Sequence, residues 1–163
     1  MFIFSAYTGG IRISDVLMLR CNDYDGSNIH FTIQKTGNQL SIRVPLKATE
    51  ILHRYLENKK QDEFIFPILN KALNVKSAED VDGAISSGTA MVNKSLKKIA
   101  ELAGIEKVLS FHVSRHTWGT LALRKGISLD KVSKLMGHAS VRETQIYAKI
   151  MSEDLDRAMD LFN

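Results

Sequence analysis

The chain has 163 residues, 44% of them hydrophobic and 25% charged, with a formal net charge of +4. That length can bury one core of ordinary size, and the composition excludes a disordered chain and a membrane-embedded bundle. The mild positive charge is compatible with a polyanionic partner without selecting one. A single cysteine, Cys21, excludes an intrachain disulfide and a cysteine-built zinc site and fits a reducing cytoplasm.

In chain order, Met1-Phe2-Ile3-Phe4 is apolar but too short for a leader peptide, and no basic residue precedes it. It reads as the end of a core helix, with the natural chain expected to begin further upstream. After the Gly9-Gly10 turn, residues 11–20 carry Ile13, Val16 and Leu17 on one helical face, which places Arg12 in the first turn. Asp25-Gly26 is a turn signal. It opens the alternation Ile29, Phe31, Ile33, answered by Leu40, Ile42, Val44 across Lys35-Thr36-Gly37-Asn38, the pattern of an antiparallel hairpin with Lys35 near its tip.

Leu46, Ile51, Leu52, Tyr55 and Leu56 mark a helix. Residues 67–88, weakly periodic and rich in Ser, Asp, Asn and Gly, are expected to be a loop with one irregular turn. From about residue 89 the chain reads as helical almost to its end. Val92, Leu96, Ile99 and Ala103 form one stripe, and residues 112–124 form a second helix stopped near Gly126. Ser128 caps a third, which buries Leu129, Val132 and Leu135. Ser140 with Glu143 has the form of a capping box for a helix containing Tyr147, and Ser152 starts a last helix with Leu155, Ala158, Met159 and Phe162 on its apolar face. The fold class expected is mainly α with a small antiparallel β-sheet. Residues 1–163 read as one domain without linker or repeat, and no stretch approaches the roughly 20 apolar residues of a membrane span.

Four places carry chemistry. Arg12 stands at a helix start, where the backbone dipole favours anions, so a cation there makes sense if a phosphate shares the site. Asp15, one turn on, could hold its guanidinium. In His112-Val113-Ser114-Arg115-His116, helical spacing puts His112, Arg115 and His116 on one face. Two histidines at this spacing could be a zinc pair, but a third ligand and the glutamate of H-E-x-x-H are missing, whereas His with Arg suits phosphate oxygens. Gly137-His138 ends a helix nine positions before Tyr147. The fourth place is Lys35. Taken singly, each is an ordinary surface or core residue.

Their order is informative. Arg12 in T-G-G-I-R-I-S-D, Lys35 in Q-K-T-G, then H-V-S-R-H-T, M-G-H and Tyr147 together resemble the tyrosine recombinase (phage integrase) family over the whole chain. The resemblance implies a catalytic domain whose set is Arg12, Lys35, His112, Arg115, His138 and Tyr147, with Asp15 in a supporting position. It also implies metal-free cleavage and rejoining of double-stranded DNA through a phosphotyrosine on Tyr147, with no cofactor. The expected setting is the cytoplasm, as a monomer that assembles into a tetramer on DNA. Residues 152–163 could be exchanged between subunits. The N-terminal DNA-binding domain usual in the family has no counterpart in this sequence. The flavour is that of a mobile-element integrase.

The chemistry of these residue types agrees with that reading. A pentacoordinate phosphorus needs fixed cations, which two guanidinium forks provide. A tyrosine needs an acceptor for its proton, for which His112 is placed, and the departing 5′ oxygen needs a donor, for which Lys35 is placed. A type IB topoisomerase would use similar groups to relax supercoils, and a DNA-binding regulator would be expected to lack one of them. The recombinase reading rests on these scattered residues converging on a pocket the size of one phosphate.

Overall fold

The computed structural model describes residues 1–70 and 72–148. Its elements run α1 (Phe2–Tyr7), α2 (Ile13–Met18), β1 (Asn28–Thr32), β2 (Gln39–Arg43), α3 (Leu46–Leu56), α4 (Ala78–Leu102), α5 (His112–Arg124) and α6 (Leu129–Leu135), then a 3₁₀ turn over Val141–Thr144 that continues helically to residue 148. Among the described residues no helix is long and apolar enough to cross a membrane.

The hairpin forms in the expected register, with Ile29 opposite Ile42 and Phe31 opposite Leu40. Ile29 and Ile42 are buried and the intervening positions are more open, as alternation in a one-sided sheet requires. Its buried face joins Phe4 of α1, Val16 of α2, Leu52 of α3, and Val92 and Leu96 of α4 in the main core. A second cluster, Ala122, Leu123, Val132, Met136 and Tyr147, lies between α5 and α6. Helix α5 packs on α1 and on α6, so it spans the seam between the two clusters.

Four local expectations are corrected. The stretch 67–88 is a loop only in its first half, because α4 already begins at Ala78. Ser77 Oγ accepts the Asp80 N–H at 3.2 Å, and Glu79 and Asp80 sit at the positive end of the dipole. Its inner side carries Val81, Ala84, Ile85 and Gly88 at helical spacing, among Ser, Asp and Gly residues that also mark loops. Gly88 passes so close to α2 that a Cβ there would lie 3.3 Å from Leu17 Cδ1. Further along, the buried stripe is Val92, Leu96 and Ala100, and Ile99 is 54% exposed. Arg12 is the extended residue just before α2, one position earlier than the first turn. Ser140 Oγ accepts the Arg142 N–H, which opens the 3₁₀ turn, but Glu143 does not return the second bond of a capping box. The helix expected from Ser152 lies outside the described residues.

Candidate active site

The site begins with two glycine turns. Gly9 and Gly10 both have positive φ (73° and 64°), and a Cβ on Gly10 would sit 3.1 Å from Arg115 Cα. Only glycine allows this turn to lie against α5. The turn carries the chain directly into Arg12. At the other end, α6 closes in a Schellman motif: the His138 N–H reaches Ser133 O (3.0 Å) and the Gly137 N–H reaches Lys134 O (2.9 Å), with Gly137 at φ 62°. This motif leaves the Met136 carbonyl facing outward from the helix end and projects His138 beside it.

Both arginines meet that carbonyl. Arg115 Nη2 donates to Met136 O at 2.7 Å and Nη1 to Gly10 O at 2.7 Å, while Arg12 Nη1 donates to Met136 O at 3.4 Å. Arg115 is 4% exposed and held at both ends of its fork. Burial, then the neighbouring Arg12 charge, pushes its pKa down to about 10, which leaves it cationic at neutral pH. The hairpin packs onto the same point, since a Cβ on Gly137 would collide with Ile33 Cδ1. Lys35, exposed in the turn that follows, is near enough for its charge to act on His138.

Asp15 is buried, but its Oδ1 accepts the Gln34 N–H at 2.9 Å and makes no ion pair with Arg12. It thus anchors the hairpin next to Lys35 and acts on the arginines through its field. Burial raises its pKa; the Gln34 bond and the Arg12 and Arg115 charges pull the other way.

The histidines are held toward their neutral forms. Burial and the Arg115 charge push His138 down to about 4, and its Nδ1 lies 2.6 Å from the buried Thr144 Oγ1. His112 is exposed, lines a cleft of about 300 Å³ with Arg12 and Arg115, and is lowered by partial burial and then by His116 and the two arginines. His116 shares the helical face of His112 and Arg115 but has no place in the catalytic set that the family resemblance implies. Its ring stands edge-on to His112 at 4.3 Å and to Tyr147 at 5.5 Å, so it bridges the two. The only sequence signal for it was its position four residues after His112.

Tyr147 is turned into the interior. It is 2% exposed, and its ring lies against Gly119 and Met136 in the second cluster. Burial raises the phenol pKa, and the charge of Arg115 opposes that rise. The structure therefore brings Arg12, Lys35, His112, Arg115 and His138 together around one end of α6, with the Tyr147 ring directly behind them.

The sequence profile of the phage integrase family matches residues 1–153, and the chain belongs to that family. It is 32% identical over 154 residues to the tyrosine recombinase XerC of Pelotomaculum thermopropionicum, covering 93% of this chain and 49% of that protein. To the tyrosine recombinase XerA of Saccharolobus solfataricus it is 26% identical, covering 90% and 44%. The chain thus spans about half the length of these relatives. Among solved structures, the crystal structure of the XerA recombinase superposes with a TM-score of 0.65 at 26% identity over 87% of this chain and 48% of that one. The XerH recombinase in its post-cleavage complex with palindromic difH gives a TM-score of 0.69 at 22% identity over 99% and 44%, a likeness of fold. The mainly helical architecture with one two-stranded antiparallel sheet is that of the family's catalytic domains.

Proposed function

We propose that this chain is the catalytic domain of a site-specific tyrosine recombinase that cleaves and rejoins double-stranded DNA through a 3′-phosphotyrosine on Tyr147. The observation that carries the reading is the convergence of Arg12 and Arg115, which are far apart in sequence, on the single carbonyl of Met136 beside His138. Such a pair of fixed forks fits the non-bridging oxygens of one phosphate, and removal of one such donor from a preorganised site slows reaction about 10²–10³-fold.

In the reaction, the Tyr147 oxygen attacks phosphorus and the bond to the 5′ oxygen breaks. His112, held neutral, accepts the phenol proton, and Lys35 protonates the departing 5′ oxygen. If Thr144 donates to His138 Nδ1, the hydrogen of this neutral ring sits on Nε2, where it donates to the phosphate. No cofactor takes part. The free 5′ hydroxyl of another strand reverses the step, since the ester bond is conserved in the intermediate.

Because the Tyr147 ring is buried, attack requires it to move outward. DNA supplies the drive by offering a phosphate to the cationic cleft. The working form is a tetramer on DNA built from monomers, with residues 152–163 exchanged between neighbours, an N-terminal DNA-binding domain completing the grip on the duplex, and the bacterial cytoplasm as its setting.

The test is a nicked suicide duplex whose sequence is selected from a random pool by binding. The wild type is expected to form a covalent adduct that Tyr147→Phe does not form. Equal adduct with both proteins refutes the nucleophile, and DNA relaxation without strand exchange between two sites would favour a topoisomerase.

A further inference from the structure

The cleft that holds Arg12, His112 and Arg115 has a fourth wall that no catalytic motif describes. It comes from α4, where Thr89 and Asn93, one turn apart, face the start of α5. Asn93 is fixed there by its backbone neighbour: its Oδ1 accepts the Phe111 N–H at 2.8 Å. Phe111 is the residue preceding α5, and its own side chain provides no cap. A backbone N–H can only donate, so the amide oxygen must face Phe111 and the NH2 group must face away. Among the described residues that NH2 has no protein partner, and it is not among the buried unpaired atoms, so it is open to solvent. A neutral donor of fixed orientation therefore stands at the wall of a cleft whose two permanent cations are Arg12 and Arg115.

We propose that Asn93 is a DNA-contacting residue: its NH2 donates to a non-bridging phosphate oxygen seated in the cleft with Arg12, His112 and Arg115, while its carbonyl holds the start of α5. The inference rests on the recombinase reading above and adds a residue to it. An amide suits the position because a third permanent cation would repel Arg12 and Arg115 in the free protein. The amide gives a directed hydrogen bond without that repulsion.

The experiment is a chemical double-mutant cycle. Wild type and Asn93→Ala are titrated against the selected duplex and against duplexes carrying one methylphosphonate at the scissile phosphate or at a neighbour on either side. On the all-phosphate duplex Asn93→Ala is expected to weaken binding about tenfold or more, the range for a hydrogen bond to a charged group. On one methylphosphonate duplex the two proteins should bind nearly alike, because the oxygen that received the bond has lost its charge.

An equal loss on every duplex would mean that Asn93 only supports α5 and would overturn the proposal. Asn93→Asp is the second variant. It keeps an oxygen for Phe111 N–H and should match the wild type in thermal stability, yet bind DNA more weakly than Asn93→Ala because a carboxylate then faces the phosphate. Binding by Asn93→Asp at the wild-type level overturns the proposal even if Asn93→Ala fails to fold. Failure of the recombinase reading is read separately, as absence of a Tyr147-dependent adduct from wild type that still binds the duplex.

Discussion

Gly119 on α5 offers a direct handle on the inward tyrosine. A Cβ there would lie 3.2 Å from Tyr147 Cε2 and Cζ and 3.3 Å from Met136 Sδ. These contacts are tighter than ordinary packing, and ring and thioether must shift by a few tenths of an ångström. Overfilling of this kind costs about 1–3 kcal/mol. Alanine also improves the interior of α5 by about 1 kcal/mol over glycine. The helical gain applies wherever Tyr147 sits, whereas the overlap applies only while the ring is inward.

Gly119→Ala should therefore leave overall stability within about 2 kcal/mol of wild type. It should shift the ring outward by the overlap term alone, roughly 5- to 150-fold in the inward–outward equilibrium. Two readouts check this. Single-turnover adduct formation on the nicked duplex should accelerate. The Tyr147 phenol, raised by burial, should titrate closer to 10 in a spectrophotometric alkaline titration, identified by its loss in Tyr147→Phe. The sign follows from the raised pKa: the inward position is favoured below the ordinary tyrosine range and weakens as pH climbs through the folded value. If neither adduct rate nor titration moves, the inward ring is not a barrier to reaction and the argument fails.

Arg115, a phosphate ligand in the proposed mechanism, is also a structural tie. Arg115→Ala removes two charge-assisted bonds to Gly10 and Met136 and should cost about 3–6 kcal/mol in urea unfolding, while Arg115→Lys, which can reach only one carbonyl, should lose about half of that. His138 should titrate near 4 by NMR in the free protein, so its contribution to stability falls as pH drops from 6.5 toward 4. A bound phosphate favours the protonated rings of His112 and His138, so DNA affinity at constant ionic strength should rise as pH falls below 6.5, and His138→Gln should flatten that dependence. Asp15→Ala leaves the Gln34 N–H without its acceptor and should loosen the hairpin at a cost of about 1–3 kcal/mol, whereas Asp15→Asn keeps an acceptor and should hold both stability and hydrogen-exchange protection at Gln34.

Much of this architecture was legible because its signals are local. The alternation Ile29, Phe31, Ile33 against Leu40, Ile42, Val44 gave the hairpin, and the bounds of α3 and α5 match the stretches 46–56 and 112–124. Gly137 marked the end of α6 because only a left-handed residue closes that motif. The first half of α4 was hidden because Val81, Ala84, Ile85 and Gly88 on its inner side are set among Ser, Asp and Gly residues that also mark loops. The inward Tyr147 was hidden because ring burial there depends on Gly119 and Met136, which belong to two other helices. Asn93 was hidden for a similar reason: its partner lies eighteen residues away, and an asparagine in mid-helix has no pattern of its own.

The Met136 carbonyl that gathers both guanidinium groups lies 124 positions beyond Arg12. During synthesis the first arginine leaves the ribosome long before its acceptor exists, and contacts of such long range form late in folding. A nascent or prematurely terminated chain therefore has the N-terminal cations without the scaffold that aims them. The two guanidinium groups therefore become a pair only after the chain has been made as far as Met136, so the site forms in one late step rather than piece by piece.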